Sequence, residues 1–143
     1  MSVDLKLENQ ICFKVYSITK SIIIRYGPLL NEINLTYPQY VVMMLLWEHK
    51  KLPFNEISSK LKMKRGTLNP IISKLESNVY LERVKYENDY GEIYIVITQK
   101  GLDIEKVAKD IPVKIAKDLN LSEEEYKNYI KAFDDLLKRL DSI

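Results

Sequence analysis

The chain has 143 residues, of which 46% are hydrophobic and 29% charged, and its formal net charge is +2. These values describe one globular domain, or a small module with dimerisation helices. Apolar runs such as residues 41–47 are too short to cross a bilayer, and the N-terminus has no basic region leading into an apolar stretch. One cysteine and one histidine exclude an internal disulfide framework and a structural zinc site. We expect a cytoplasmic protein with no cofactor, no metal and no membrane partner.

Residues 5–33 have the period of one long helix, because apolar side chains recur at steps of three and four. These positions are Leu7, Ile11, Val15, Ile18, Ile22, Tyr26, Leu29 and Ile33. Gly27-Pro28 should kink or interrupt the helix, since Pro28 lacks an N–H and clashes with the preceding turn. So long a helix is hard to bury on one small domain, which favours a dimer.

A second helix should begin at Thr36, whose side chain can cap it, with Pro38 in its first turn. Residues 41–47 are then nearly all apolar, as expected of a helix buried on most sides. His49 follows, and we interpret it as a capping or surface residue without chemistry.

Residues 55–101 have the order of a winged helix-turn-helix: helix, turn, helix and β-hairpin. The helical segments, 54–61 and 67–78, flank a basic turn at 62–66. Strand-like segments at 80–87 and 92–98 follow, joined by a turn in which Gly91 can take positive φ.

Positive charge is concentrated in this module. Residues 50–85 contain nine Lys or Arg and three acidic residues, a local charge of +6, whereas the rest of the chain carries −4. A basic module in a mildly acidic body is typical of phosphate binding. The alternative is a solvated helical face, but the hairpin and the helical period in the same window favour DNA binding.

The second helix of the module should present its N-terminal end to base edges. Pro70 is tolerated only in a first turn, so this helix should begin near Arg65 or Gly66. The residues predicted to face the core are Ile57, Leu61, Leu68, Ile71, Ile72 and Leu75. The outward residues, which we predict to bind DNA, are Lys64, Arg65, Thr67, Asn69, Ser73 and Lys74, with Lys85, Asp89 and Tyr90 from the wing.

Two more helical stretches complete the chain. Thr98 could cap the first, which Pro112 should bend or end. Ser122 and Glu125 fit a capping box for the second, whose apolar stripe runs to about Leu140 and again suggests a partner. We predict a mainly α fold with a small β-wing in a single domain, 1–143. Residues 37–98 would form the winged helix-turn-helix, and residues 5–33 and about 99–140 the dimerisation helices.

Several segments resemble the MarR family of dimeric winged-helix regulators, and specifically its organic hydroperoxide-sensing OhrR type. They are LENQICF at 7–13, YPQY at 37–40, LLWEH at 45–49, GTLNP at 66–70 and ITQKG at 97–101. The resemblance implies a homodimeric repressor that binds double-stranded operator DNA when reduced and releases it when its cysteine is oxidised. It places that cysteine at Cys12. It also implies that the thiolate is held by Tyr16 of the same helix and by Tyr26 and Tyr37 of the partner subunit.

The chemistry of Cys12 agrees with this role. A thiolate attacks peroxides, whereas a free thiol, with a pKa of about 8.5, is mostly protonated at pH 7. A helix beginning near Glu8 or Asn9 would put Cys12 in its first turn, where the positive end of the dipole favours an anion. Tyr16, four residues on, would share its face. The only cysteine has no resolving thiol in the chain, so oxidation should stop at sulfenic acid unless another molecule intervenes. A sulfenic acid can condense with an outside thiol, close on a backbone nitrogen or oxidise further, and we predict a disulfide with a low-molecular-weight thiol.

Two departures from the family pattern affect DNA binding. The wing usually carries an arginine two residues after an aspartate; here Asp89 is present, but Gly91 stands at the arginine position. The turn before the recognition helix is commonly acidic and small, and here it is Lys64-Arg65. We therefore expect the recognition helix to contribute more affinity than the wing.

Other functions remain open at this point. Cys12 could be a small buried hydrophobe in a ligand-responsive MarR-type regulator. A thiol peroxidase is disfavoured, because the chain has no resolving cysteine and no arginine near Cys12. The wing with Gly91 could also have lost DNA binding, leaving a protein partner.

Overall fold

The computed structural model describes residues 4–87 and 90–141, which are mostly helical. The helices are α1 (Ile11–Asn31), α2 (Tyr37–His49), α3 (Phe54–Leu61), α4 (Arg65–Ser77), α5 (Gln99–Ala108), α6 (Ile111–Leu119) and α7 (Glu123–Asp141). The strands are β1 (Lys51–Pro53), β2 (Leu81–Lys85) and β3 (Ile93–Ile97). The predicted class, mainly α with a small β-wing, is confirmed. The chain forms two compact units, one ending at Lys109 and one beginning at Asp110.

The sheet is antiparallel, in the order β1-β3-β2. The predicted hairpin is β2 and β3, paired from Leu81↔Ile97 to Lys85↔Ile93. β1, a three-residue edge strand that ends in a proline, was not predicted. Its pairing with β3 anchors the start of α3 to the wing.

The N-terminal segment differs from the single helix predicted over residues 5–33. A short 3-10 turn comes first, Gln10 is extended, and α1 begins only after it. Local side-chain bonds explain the break. The Asp4 carboxylate accepts from Asn9 Nδ2 at 2.9 Å, and Gln10 Nε2 donates to the Lys6 carbonyl at 3.0 Å.

Two prolines lie inside helices in ways that differ from the predictions. Pro28 does not interrupt α1, which continues to Asn31. The predicted start of α4 near Arg65 is confirmed, but Pro70 is its sixth residue and so lies beyond the first turn. Because Pro70 has no N–H, the carbonyl of Gly66 lacks its intrahelical donor.

The predicted helix caps are present. Thr36 Oγ1 accepts from the N–H of Gln39 and the Gln39 side chain accepts from the N–H of Thr36, which makes a complete capping box. Thr98 caps α5 through its side chain. Ser122 and Glu125 exchange both capping bonds at the start of α7, at 3.0 and 3.1 Å.

The core of the first unit is built from α2, α3, α4 and the sheet. Of the residues predicted to face it, Leu61 and Ile71 are half-buried. Its most buried side chains are Tyr40, Val42, Met43, Leu46, Ile57, Leu68, Ile72, Leu75, Leu81 and Ile95. In the described residues, no helix is long and apolar enough to cross a membrane.

Candidate redox site and nucleic-acid interface

Cys12 is a free, exposed thiol at the second position of α1. The helix begins two or three residues later than the predicted start at Glu8 or Asn9, but Cys12 still lies in its first turn. The N–H groups of a first turn have no intrahelical acceptors, and their partial positive charge favours an anion. Solvent can therefore reach the Cys12 thiol in the first turn of α1.

Two of the predicted tyrosine partners lie on α1 with Cys12. Tyr16 is one turn along, 60% exposed, and its ring lies 5.2 Å from Lys20 Nζ. Tyr26 lies fourteen residues along the same helix, which at 1.5 Å per residue is about 21 Å from Cys12. The hydroxyl of Tyr26 therefore cannot bind the thiol of its own chain.

Tyr26, Tyr37 and Tyr40 form a tyrosine layer between α1 and α2. The ring centroids of Tyr26 and Tyr37 are 5.0 Å apart, and Tyr40 lies 5.8 Å from Tyr26. Burial, and after it the neighbouring Tyr37, raises the pKa of Tyr40, which keeps its hydroxyl neutral at pH 7. Tyr26 and Tyr37, predicted to act together, are in contact. Tyr40 was not among the predicted site residues, although it lies in the same YPQY segment as Tyr37.

The tyrosine layer is connected to the base of the wing. The Tyr40 ring packs 6.0 Å from Trp47, and the Trp47 indole N–H donates to the carbonyl of Gly101 at 2.9 Å in the interior. A Cβ at Gly101 would lie 2.2 Å from the carbonyl oxygen of Tyr80, the residue before β2. One chain of contacts thus joins α1 to the wing.

The N-terminal end of the recognition helix α4 is open to solvent. All six residues predicted to bind DNA from this region are exposed: Lys64, Arg65, Thr67, Asn69, Ser73 and Lys74. Arg65 is also fixed to α3, because its Nη2 donates to Asn55 Oδ1 at 3.0 Å and its guanidinium lies 5.1 Å from the Phe54 ring. The basic end of α4 is therefore both exposed and held in position.

Arg83 of β2, which the sequence analysis did not single out, binds the recognition helix. Its Nη1 donates to Glu76 Oε1 at 2.7 Å, and its main-chain N–H donates to Glu76 Oε2 at 3.0 Å. Its Nη2 donates to Asn69 Oδ1 at 3.2 Å and to Ser73 Oγ at 3.1 Å. Strand alternation puts Arg83 on the same face as the buried Leu81, and a charge at such a position requires a partner. This alternation was the sequence signal that could have identified Arg83.

The wing has a lysine, Lys85, beside Gly91, the position at which the family usually has an arginine. Tyr90 is fully exposed with φ of 50°, and Gly91 has φ of 85°. A Cβ at Gly91 would lie 3.8 Å from Lys85 Nζ, so the ammonium group of Lys85 lies beside the turn. Asp89, also predicted to bind DNA, lies outside the described residues.

Comparison with known proteins identifies the family. Residues 25–107 match the family described as transcriptional regulator SarA/Rot. The organic hydroperoxide resistance transcriptional regulator of Bacillus subtilis (strain 168) is 35% identical over 136 residues, which cover 95% of this chain and 92% of that protein. The chain belongs to this family of MarR-type transcriptional regulators. The resemblance to the organic hydroperoxide-sensing branch is confirmed.

This MarR-type regulator also matches solved structures of AbfR from Staphylococcus epidermidis. Reduced AbfR bound to DNA has 27% sequence identity and a TM-score of 0.81, covering 95% of this chain and 93% of that one. AbfR with a disulfide formed has 28% identity and a TM-score of 0.67, covering 95% and 90%. The regulator thus has the fold of a protein solved both on DNA and with a disulfide formed.

Proposed function

We propose that this regulator is a homodimeric repressor, acting in the cytoplasm, that binds double-stranded operator DNA while Cys12 is reduced. An organic hydroperoxide would oxidise Cys12 and release the DNA. The observation that carries the proposal is the placement of the thiol and the tyrosines. Cys12 is exposed in the first turn of α1, and Tyr26 is about 21 Å away on the same helix. Because the chain's own Tyr26 is too far away, we infer that a second copy brings its Tyr26 and Tyr37 to this thiol in a site shared between two chains.

DNA binding is supported by the basic end of α4. In a helix-turn-helix the N-terminal residues of the second helix meet base edges. Here that end presents Lys64 and Arg65 to solvent, and Arg83 fixes the helix to the wing. The reduced, DNA-bound state of AbfR supports the same arrangement.

The sensing reaction uses one thiol and one hydroperoxide. The Cys12 thiolate attacks the terminal oxygen of the hydroperoxide, an S–O bond forms, and the O–O bond breaks. The alkoxide leaves and takes up a proton to become an alcohol, while the sulfur is oxidised by two electrons to sulfenic acid. Each chain would consume one equivalent of hydroperoxide. An enzyme would go on consuming hydroperoxide beyond one equivalent, so this stoichiometry distinguishes a sensor from an enzyme.

The tyrosine layer supports a route from the oxidised thiol to DNA. Tyrosine hydroxyls that donate to a thiolate lose that acceptor when it becomes a bulkier, neutral group. Tyr37 packs against Tyr40, and Tyr40 against Trp47, whose indole is bonded to Gly101 of α5. Gly101 in turn lies against Tyr80, the residue before β2 of the wing. A shift of the tyrosine layer would thus reach the wing, which holds the recognition helix through Arg83. The recognition helices of the two subunits would then lose their spacing.

The sulfenic acid should end as a mixed disulfide with a low-molecular-weight thiol. The S–S bond forms as the S–O bond breaks, and water leaves. A bridge to the partner's Cys12 would need the two Cα atoms within about 7 Å. Intact mass should show the added thiol, removable by reductant with recovery of DNA binding. Because AbfR forms a disulfide, non-reducing gels are the decisive control; a cross-linked dimer as main product would contradict the mixed-disulfide step.

The test of the proposed function is Cys12→Ser. Serine keeps the size of the side chain but cannot be oxidised, so this variant should bind DNA as the wild type does and stay bound in cumene hydroperoxide. The assay is a mobility shift on duplexes that the reduced protein selects from a randomised library. Met44→Leu, which removes a partly exposed methionine, is the matched control and should keep the peroxide response.

Two outcomes would contradict the proposal. Release of wild-type protein by salicylate-like ligands but not by hydroperoxide would indicate a ligand-responsive regulator. Continued hydroperoxide consumption beyond one equivalent in the presence of a thiol reductant would indicate a thiol peroxidase.

A further inference from the structure

We propose that Arg83 is a positioning residue that fixes the side-chain amide of Asn69 with its NH2 group directed towards DNA. The recognition helix then reads guanine at the base pair facing Asn69. This inference rests on the proposed function, because it concerns how the same helix recognises its operator.

Arg83 is held firmly before it contacts Asn69. Glu76 receives two hydrogen bonds from Arg83, at 2.7 Å from Nη1 and at 3.0 Å from the main-chain N–H. The side chain is only 24% exposed. A guanidinium is planar and rigid, so these bonds also fix the direction of Nη2. That nitrogen reaches both Asn69 Oδ1 and Ser73 Oγ.

The chemistry of the guanidinium determines which way the amide faces. Arginine only donates hydrogen bonds, so the atom of Asn69 that meets it must be the carbonyl oxygen. The NH2 group then points away from Arg83, and within residues 4–87 and 90–141 it has no hydrogen-bond partner. Ser73 Oγ is likewise occupied as an acceptor, which leaves its hydroxyl proton to donate. Asn69 and Ser73 are one turn apart, so the exposed face of α4 offers donors at two neighbouring positions.

This orientation changes which base Asn69 can read. A free asparagine binds adenine through both atoms of its amide, donating to N7 and accepting from N6. Here Oδ1 is turned towards Arg83, so the amide presents its NH2 group, and not both of its atoms, to a base edge. Guanine offers only acceptors at the corresponding edge, O6 and N7, and so matches a donor-only side chain.

Arg83 should not act as a phosphate ligand. Its charge is paired with Glu76, and both of its terminal nitrogens are bonded within the protein. A residue that neutralises a phosphate lowers the salt dependence of binding by about one unit of slope when it is removed. Loss of Arg83 should leave that slope unchanged while changing base preference, whereas a merely structural role would lower affinity without changing base preference.

The experiment compares base preference among variants. Reduced wild-type protein selects duplexes from a randomised library, and the position read by Asn69 is the one at which Asn69→Ala loses discrimination. The wild type should favour guanine over adenine there by about 10-fold, in line with a single specific base contact. Arg83→Met keeps the length but removes the donors, and its preference should fall to about twofold or less with an unchanged salt slope.

Asn69→Asp gives an independent test and changes only an exposed residue. The carboxylate still binds Arg83 but presents an acceptor to the groove, so preference should switch from guanine to cytosine, whose N4 donates. Ser77→Ala, at an exposed position of α4 whose hydroxyl donates to the Lys74 carbonyl, should retain the preference for guanine and serves as the control.

Three results would overturn the inference. Adenine at the Asn69 position in wild type would show that the amide is not fixed. A salt slope reduced by one in Arg83→Met with unchanged base preference would make Arg83 a phosphate ligand. Failure of the wild type to enrich any duplex would overturn the proposed function, and this inference with it.

Discussion

The peptide of Gly101 joins the tyrosine layer to the wing at a point where there is no room for a side chain. Its carbonyl accepts from Trp47, and a Cβ would lie 2.2 Å from the carbonyl oxygen of Tyr80 and 2.8 Å from a side-chain carbon of Ile97. A backbone oxygen at that distance cannot move aside without shifting the base of β2.

We predict that Gly101→Ala lowers the free energy of unfolding by about 2 kcal/mol, the scale of an overpacked core. Urea denaturation at one fixed protein concentration measures it. Gly66→Ala is the matched control, because Gly66 is helical with open space around it. It should raise stability by about 0.5–1 kcal/mol. Equal midpoints for Gly101→Ala and wild type would contradict the packing argument.

Individual residues also show where sequence reasoning stops. The capping roles of Thr36, Thr98 and Ser122 were predictable, because a cap bonds residues three positions apart. The contact of Arg83 with α4 was not, because it joins residues seven to fourteen positions apart, which only the folded hairpin brings together. Pro70 was predicted to lie in the first turn of α4 but lies beyond it. This end of α4 is exposed, and there the carbonyl of Gly66 can remain without its intrahelical donor.

At the scale of elements, α4 and the wing are the two parts of the chain that we predict to contact DNA. The start of α4 carries Lys64 and Arg65 and is braced by α3. The wing has Gly91 at its usual arginine position, with the ammonium group of Lys85 beside it.

We predict that Arg65→Ala weakens operator binding more than Tyr90→Ala. The first removes an exposed cation at the base-reading end of α4, while the second removes an exposed neutral ring from the wing tip. Affinity measured from 50 to 200 mM salt should show the slope reduced by about one unit for Arg65→Ala and unchanged for Tyr90→Ala. Lys85→Gln tests the wing separately and should also reduce the slope. The reverse ranking of Arg65 and Tyr90 would show that the wing dominates.

The elements that the sequence predicted are those with local signals. The prediction came close to the observed bounds for helices that have an apolar period and a cap. It also came close for strands that have β-branched residues around a turn. The edge strand β1 was missed because its three residues include Pro53 and become a strand only through pairing with β3. The 3-10 turn before α1 was missed because side-chain bonds from Asp4 and Gln10 overrode a continuous apolar period.

At the scale of the whole molecule, large apolar surfaces lie open on one chain. On α7 they are Tyr126, Tyr129, Ile130, Phe133, Leu137 and Leu140, each at least 40% exposed. On α1 and the segment before it they include Leu5, Leu7, Ile11 and Ile24. Contiguous exposed patches of this kind are rare on monomers and mark an interaction surface.

We predict that the regulator is an obligate dimer, measured by light scattering at micromolar concentration. Replacing both Ile130 and Phe133 with Asp should abolish the dimer and reduce operator affinity. Two recognition helices on a two-fold axis are needed to meet half-sites about 34 Å apart. Asn128→Asp, an exposed polar position on the same helix, should leave both properties unchanged. A monomeric wild type would contradict the shared site as well as the dimer.

Trp47 is the only tryptophan of the chain. It is 8% exposed, and its indole N–H is bonded to Gly101. Its fluorescence therefore comes from one known place, between the tyrosine layer and the wing. Light absorbed by Tyr40, 6.0 Å away, and by the tyrosines packed against it is transferred to this indole. Emission can be measured after exciting tyrosine and tryptophan together and again after exciting tryptophan alone. The difference gives the energy transferred from the tyrosines, which reports the spacing of that layer. We expect this emission to change when Cys12 is oxidised, because the proposed shift of the tyrosine layer would alter the surroundings of the indole, and the change could be followed in real time without a label.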